Sequence, residues 1–308
     1  MSGATIAETR LAFPCFGGRA EVIAMGEGDV DALVNEVRAR LERWHHAFTR
    51  FDPASELSLL NASPSERVRV SAMMCQFVAA AVNAAHRTGG LVDPTLVPEM
   101  ESAGYRSDLG MPVPLETSLI LAPPRRAASA RPDARWREVR VDSRRRIVSR
   151  PPGVRLDSGG IAKGLFADMA GAALAGCASF VVDCCGDLRL GGRDRLERSV
   201  QVESPFGGHD PLHTFQIDAG AVATSGIGRR SWIGDDGLPA HHLLDPSTGR
   251  PAYTGVVQAT ALSRTAADAE VRAKGALLAG PERGRDWLRR YGGVLVFDDG
   301  SHAVVEAG

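Results

Sequence analysis

Residues 30–48, "VDALVNEVRARLERWHHAF", set Val30, Leu33, Val34, Val37, Leu41, Trp44 and Phe48 at helical spacing, so one broad stripe of a long helix is apolar. Such a stripe has to be covered by a sheet or by other helices. A second apolar helix is predicted at Ala72–Arg87, stopping before Gly89 and Gly90, where the backbone can turn left-handed. The strand-like runs "REVRVD" and "RIVSRPPGVRLDSG" then precede a helix predicted at 163–174, the strand "SFVVDCC" and the turn "GDLRLGG". Farther on, the strands "TFQIDAGAVATSG", "GVVQATALS" and "GVLVFD" alternate with helices predicted at 266–279 and 281–291. Helices and strands in this mixed order, without a fixed-period repeat, imply an α+β layered fold and not a regular βαβ series.

With 308 residues and 44% of them hydrophobic, the chain can build a sizeable core. A single domain over 1–308 is expected, with the Pro-, Arg-, Ser- and Ala-rich stretch at 100–135 as an insertion or mobile connection. Lys and Arg total 36 against 37 Asp and Glu, so no global field draws the chain to nucleic acid or an anionic membrane. No apolar segment reaches bilayer length, and the first residues carry no basic stretch followed by an apolar block, so the expectation is a cytoplasmic protein without membrane insertion. Five cysteines with no C-x-x-C pair read as reduced, mostly buried thiols.

Four clusters could carry chemistry. In "LDSGGIAKGLFADMA" (156–170), Asp157 ends a strand, Gly159 and Gly160 let a ligand approach the main chain, and Lys163 opens a helix. A helix terminus with an added ammonium suits a phosphate, although a glycine turn capping an ordinary helix would look the same. In "CCGDLRLGG" (184–192), Asp187 reads more readily as a turn former than as a catalyst. The small residues around Thr224 and Ser225 in "GAVATSGIGRRSW" (220–232) could line a close-fitting pocket or simply pack tightly. In "AHHLLDPSTGRP" (240–251), His241 and His242 precede a tight corner; in an extended segment they point to opposite faces, so only one can face a pocket.

Taken in order, these clusters resemble those of the ApbE family, the FAD:protein FMN transferases. Asp157–Gly164 is similar to the family's Asp-x-Gly-x-x-x-Lys-Gly run, Cys185–Asp187 to its Gly-Gly-Asp, Ala223–Gly226 to its Ala-Thr-Ser-Gly, and His241–Pro251 to its His-His-x-x-Asp-Pro-x-Thr-Gly-x-Pro. "FDPASELSLLN" resembles the Ser-Glu-x-Ser-x-x-Asn segment and brings in Asn61, while "GGLVDPTLVP" resembles Phe-Asp-Pro-Thr and brings in Gly90, Leu91, Val92 and Asp93. Phe16 stands in "FGG" where a Met-Gly-Thr is usual.

The resemblance implies a T-fold-like layered α/β sandwich that binds FAD, splits its pyrophosphate with Mg²⁺ and links FMN to a Ser or Thr hydroxyl of an acceptor flavoprotein, releasing AMP. It implies a flavin site from Phe16, Asn61, Gly90–Asp93, Asp157, Lys163, Thr224 and Ser225, with His242, His241 and Asp245 at the reacting pyrophosphate. His242 is the preferred imidazole because it directly precedes the Leu-Leu-Asp-Pro corner. Two other readings are a non-catalytic FAD-binding protein and an FAD pyrophosphate hydrolase giving FMN and AMP.

The metal helix departs from the family pattern. The family carries Ala-Asp-Ala-x-x-Thr there, with a glycine six residues later, and Gly160 matches the position that lends a main-chain oxygen to magnesium. Here the segment reads "AADAEVRAKGALLAG". Anchoring on Gly280 aligns Glu270 with the metal aspartate and Lys274 with the threonine; sliding by two residues aligns Asp268 and Arg272 instead. Either register puts a cation four residues after the carboxylate, a spacing for a helical ion pair and one that repels Mg²⁺. The expectation is that Lys274 pairs with Glu270 and partly stands in for the metal's charge, or that the chain keeps the FAD site with altered metal dependence.

Overall fold

Eight strands pair antiparallel in the order in which they follow along the chain: β1 (Ala7–Cys15), β2 (Gly18–Gly26), β3 (Ser179–Cys184), β4 (Asp187–Gly191), β5 (Gly220–Gly226), β6 (Val256–Ser263), β7 (Gly293–Phe297) and β8 (His302–Val305). The structure is a computed structural model that describes residues 7–107 and 113–308. Long excursions separate some of these neighbours in the sequence. Between β2 and β3 lie α1 (Val30–Phe48), α2 (Glu56–Ala62), α3 (Ala72–Arg87), the short helices α4 (Val97–Ser102) and α5 (Leu115–Ile120), and α6 (Ala162–Ala173); α7 (Ala266–Leu288) joins β6 to β7.

Strand alternation decides which face is covered by what. Val22, Val182, Ala221 and Ala223 point into one core shared with α1, α3, α6 and the start of α7, where Leu41, Phe77 and Phe166 are fully enclosed. Their neighbours Val181, Leu190 and Val222 point the other way, onto a hairpin of Arg198–Val202 and His213–Ile217. The predicted layering of helices on an antiparallel sheet is thus what forms.

The stripe read at 30–48 becomes α1 over the same residues, capped by Asp29, whose side chain accepts from Ala32 N. The run read as a turn at "GDLRLGG" is a correction: Asp187–Gly191 is an internal strand, hydrogen-bonded to β3 on one side and β5 on the other. Its flanking glycines hid a short alternation of Leu188 and Leu190 around Arg189. The two helices read at 266–279 and 281–291 both form within α7, separated where Gly280 leaves the helical conformation with a positive φ of 82° ahead of Pro281, the second ending at Leu288. Residues 108–112 of the expected insertion lie outside the described residues. From Val113 onward that stretch is fastened to the body: Arg126 N donates to Tyr253 O, Ala128 N donates to Leu278 O, and Trp136 is buried.

The helices α6 and α7 meet at backbone contact. A Cβ built on Gly164 would stand 2.5 Å from Ala266 O and 2.7 Å from Ala267 N, and backbone there has no room to yield. Gly164→Ala is expected to cost about 1–3 kcal/mol and several degrees in a thermal melt; an unchanged midpoint would show that the two helix starts are not in contact.

Candidate active site

The site is built where α6 begins. Asn61 on α2 clasps the incoming chain from both sides, its Nδ2 donating to Leu156 O at 2.8 Å and its Oδ1 accepting from Leu156 N at 2.7 Å. The next residue, Asp157, lies in an irregular segment and not at a strand end; its Oδ2 accepts from Gly159 N at 2.8 Å, and the Arg50 Nε lies 3.5 Å from its Oδ1. No side chain of its own segment caps α6. Glu270, buried on α7, does so from across the interface, its Oε2 accepting from Gly164 N at 2.9 Å.

Two ammonium groups flank this helix mouth. Lys163 donates from Nζ to Oδ2 of Asp187 at 2.5 Å; Asp187 is 1% exposed, and its Oδ1 is buried with no hydrogen-bond partner. Lys274, one turn beyond Glu270 on α7, does not form the expected ion pair with it: Lys274 donates to Gly159 O at 3.0 Å, while Glu270 accepts from Gly164 N. Burial opposes the charge on Lys163, but Asp187 and Glu270 outweigh it and hold its pKa above the ordinary value. Burial pushes Lys274 down, and it pushes the Glu270 carboxyl up to about 7, with the Asp187 charge adding to the effect.

Lys274 also lines a cleft with about 570 Å³ of empty space, counting the solvent at its open mouth. Its walls come from distant segments: Leu91, Val92 and Asp93, then Asp157 and Gly160, then His242. Asp93 keeps Oδ1 engaged by the Thr95 N–H and hydroxyl while Oδ2 is buried with no hydrogen-bond partner, and burial raises its pKa. An acceptor without a donor is what a ligand can complete.

The histidine pair divides as an extended segment requires. His241 ends the short strand Pro239–His241, 1% exposed, edge-on to Tyr253 at 4.8 Å, its Nδ1 accepting from Leu243 N. His242 turns to the cleft, its Nδ1 3.4 Å from Arg230 O. Desolvation first, then the charges of Arg230 and Lys274, hold the His242 imidazole neutral far below the usual range. Asp245, expected at the reacting pyrophosphate, has both carboxylate oxygens engaged. Oδ1 accepts from Ser129 N, Ser247 N and the Ser247 hydroxyl, and Oδ2 accepts from Arg126 at 2.8 Å, so this carboxylate braces the corner that aims His242.

Other predicted residues, Phe16, Gly90, Thr224 and Ser225, are not among those that line the cleft. Phe16, at a φ of 53°, stacks on Phe166 and presents its carbonyl to Arg230, which also acts on Lys163 and His242. Gly90 is buried with a φ of 92° against Trp136, and Thr224 pairs its hydroxyl with Thr260 on the neighbouring strand while Ser225 stays half-buried beside it. Asp187 and Arg230 join the electrostatic cluster without having been read as site residues. A partner for Asp187 was legible only as a lysine 24 positions earlier, a pairing that folding alone creates.

The family's magnesium does not fit this donor set. Asp268 is engaged by the Ser263 hydroxyl, Arg272 and Arg87, which places it outside the helix mouth and selects the register of Glu270 and Lys274. Oδ2 of Asp187 and Oε2 of Glu270 are engaged by Lys163 and Gly164 N, Oδ1 of Asp187 is buried, and Gly160 faces the Lys274 ammonium, 2.9 Å from where its Cβ would stand. Among the described residues no three His, Cys, Asp or Glu side chains group as a cation site. Mg²⁺ requires a near-octahedral shell of oxygens, and two fixed ammonium groups repel it.

The buried histidine gives a pH signature. Burial lowers His241 from 6.5 to about 3, so as pH falls below 6.5 the unfolded chain takes up a proton that the folded chain refuses, and stability is lost. Glu270 acts in the opposite sense, losing stability as pH rises from 4.5 toward 7. The stability gap between wild type and His241→Phe is therefore expected to shift in favour of the variant by about 1 kcal/mol per pH unit between 6.5 and 5. Chemical denaturation at several pH values measures it; parallel curves would mean that His241 is not held neutral.

Comparison with known proteins places the chain in a family. The chain is 28% identical, over 88% of its length and 78% of the relative's, to a protein of Treponema pallidum (strain Nichols) named FAD:protein FMN transferase, and 27% identical, over 84% and 77%, to the protein of that name from Vibrio cholerae. In fold it matches the crystal structure of the ApbE protein from Thermotoga maritima with a TM-score of 0.80, at 24% identity and with 97% of each chain covered. It matches the flavin transferase ApbE from Vibrio cholerae with a TM-score of 0.71, at 23% identity and the same coverage. With the ApbE family model matching residues 16–297, the chain belongs to the ApbE family.

Proposed function

We propose that this chain is an FAD:protein FMN transferase: it binds FAD, joins the FMN half to a Ser or Thr hydroxyl of an acceptor flavoprotein, and releases AMP. The observation that carries the reading is the convergence on one helix mouth of Lys163, Lys274, the Gly159–Gly160 main chain and a neutral His242, from segments far apart in sequence. The names of the relatives agree with it.

The chemistry follows from the groups present. The N-terminus of α6 and the two ammonium groups draw a diphosphate and lower the charge that an incoming hydroxyl must approach. The hydroxyl oxygen forms a bond to the flavin-side phosphorus as the bond from that phosphorus to the bridging oxygen breaks, and the electron pair leaves on AMP. His242, neutral with a free ring nitrogen, takes the hydroxyl proton. Asp93 and the apolar wall at Leu91 and Val92 are positioned for the flavin side.

Incubation with FAD and an acceptor flavoprotein tests this. AMP release matched one-to-one by covalent flavin on the acceptor is the expected result. AMP with free FMN would make the protein a hydrolase, and unaltered bound FAD would make it a binding protein.

A further inference from the structure

Resting on the transferase reading above, we infer that Lys274 is the resident cation of the pyrophosphate site: its ammonium contacts the diphosphate directly, and FAD binding needs no divalent metal. Lys274 stands on α7 one turn after Glu270, the spacing at which two side chains of a helix face the same neighbour. Both do: Glu270 accepts from Gly164 N and Lys274 donates to Gly159 O, so the α6 mouth is gripped from two sides by one stretch of α7. The competing register, Asp268 with Arg272, closes on itself and on Arg87 and Ser263, and contributes nothing to the mouth.

An ammonium group has three donors, and Gly159 O takes one. The remaining two belong to a side chain that lines the cleft with Gly160, Asp157 and His242, where a diphosphate on the glycine main chain would meet them. A hydroxyl at this position would offer a lone pair to a metal; the ammonium offers its charge outright, and a second cation beside it would be repelled. Lys163 gives one donor to the buried Asp187 carboxylate and is not among the side chains that line this cleft, so it does not take the place of Lys274 there. Lys274 thus acts as a substrate-binding residue and a fixed replacement for a dissociable ion.

The test is FAD affinity, read from flavin fluorescence, for wild type, Lys274→Arg and Lys274→Met, each with excess EDTA and with excess Mg²⁺. Thermal melts establish that each variant is folded. Wild-type affinity is expected to agree within about twofold in the two conditions, Lys274→Met to bind about tenfold to a hundredfold more weakly with no rescue by Mg²⁺, and Lys274→Arg to recover most of the loss. Loss of wild-type affinity in EDTA that Mg²⁺ restores would overturn the inference, as would wild-type affinity in Lys274→Met, and either result would leave the transferase reading standing. Failure of wild type to bind FAD in both conditions would overturn the transferase reading itself and this inference with it.

Discussion

FMN transfer by His242→Asn is expected to fall about a hundredfold to ten-thousandfold, while FAD affinity stays within a few fold of wild type. The expectation rests on three features of this side chain. It borders the cleft that Gly160 also lines, it is held neutral by burial and by the nearby charges of Arg230 and Lys274, and its corner is braced by the four donations to Asp245. A group that accepts a proton in the transition state lowers the barrier without strengthening ground-state binding, so the loss belongs in kcat and not in affinity. Because the imidazole is neutral far below its usual pKa, wild-type activity is also expected to show no His242 break between pH 6 and 8. A variant that retains transfer, or that loses it only in proportion to lost FAD binding, would remove His242 from the chemical step.

Lys163→Met is expected to give the largest loss of stability of any substitution at this site, about 3 kcal/mol, together with loss of tight FAD binding. Its partner Asp187 is 1% exposed, sits inside the sheet, and among the described residues has only Lys163 as a side-chain hydrogen-bond donor, Oδ1 having none. Removing the ammonium leaves a buried carboxylate without its cation, and that unpaired charge accounts for most of the cost. The double variant Lys163→Met with Asp187→Leu separates the two consequences: most of the lost stability is expected to return, because no charge is left stranded, while FAD affinity stays low. If affinity returned along with stability, Lys163 would be a structural cation only. Denaturant melts and flavin fluorescence measure both.

The helices were legible because their signals are local. The stripe from Val30 to Phe48 and the apolar run Ala72–Arg87, with Gly89 and Gly90 beyond it, need no knowledge of the rest of the chain. Asp187–Gly191 was not, because five residues between glycines carry little periodicity and become a strand only when β3 and β5 offer partners on both sides. The motifs pointed to Asp157, Lys163 and the histidine pair, and extended-chain geometry required that one imidazole turn inward, which His241 does. Spacing could not show that Asp245 spends its carboxylate on Arg126, Ser129 and Ser247, since two of those partners lie more than a hundred residues away. The same holds for Asp187 and Arg230, whose place at the site depends on contacts that exist only in the folded chain.

The choice between the Asp268 and Glu270 registers was open in the sequence for a related reason. Both put a cation four residues after a carboxylate, and only the packing of α7 on α6 turns one pair to the helix mouth and the other to Arg87.

The most direct measurement is the structure of the protein crystallised with FAD. The diphosphate is expected to sit on the Gly159–Gly160 main chain, with the Lys274 ammonium and the His242 ring each within hydrogen-bond reach of it. A diphosphate bound anywhere else on the molecule, with Lys274 and His242 left out of contact, would contradict it.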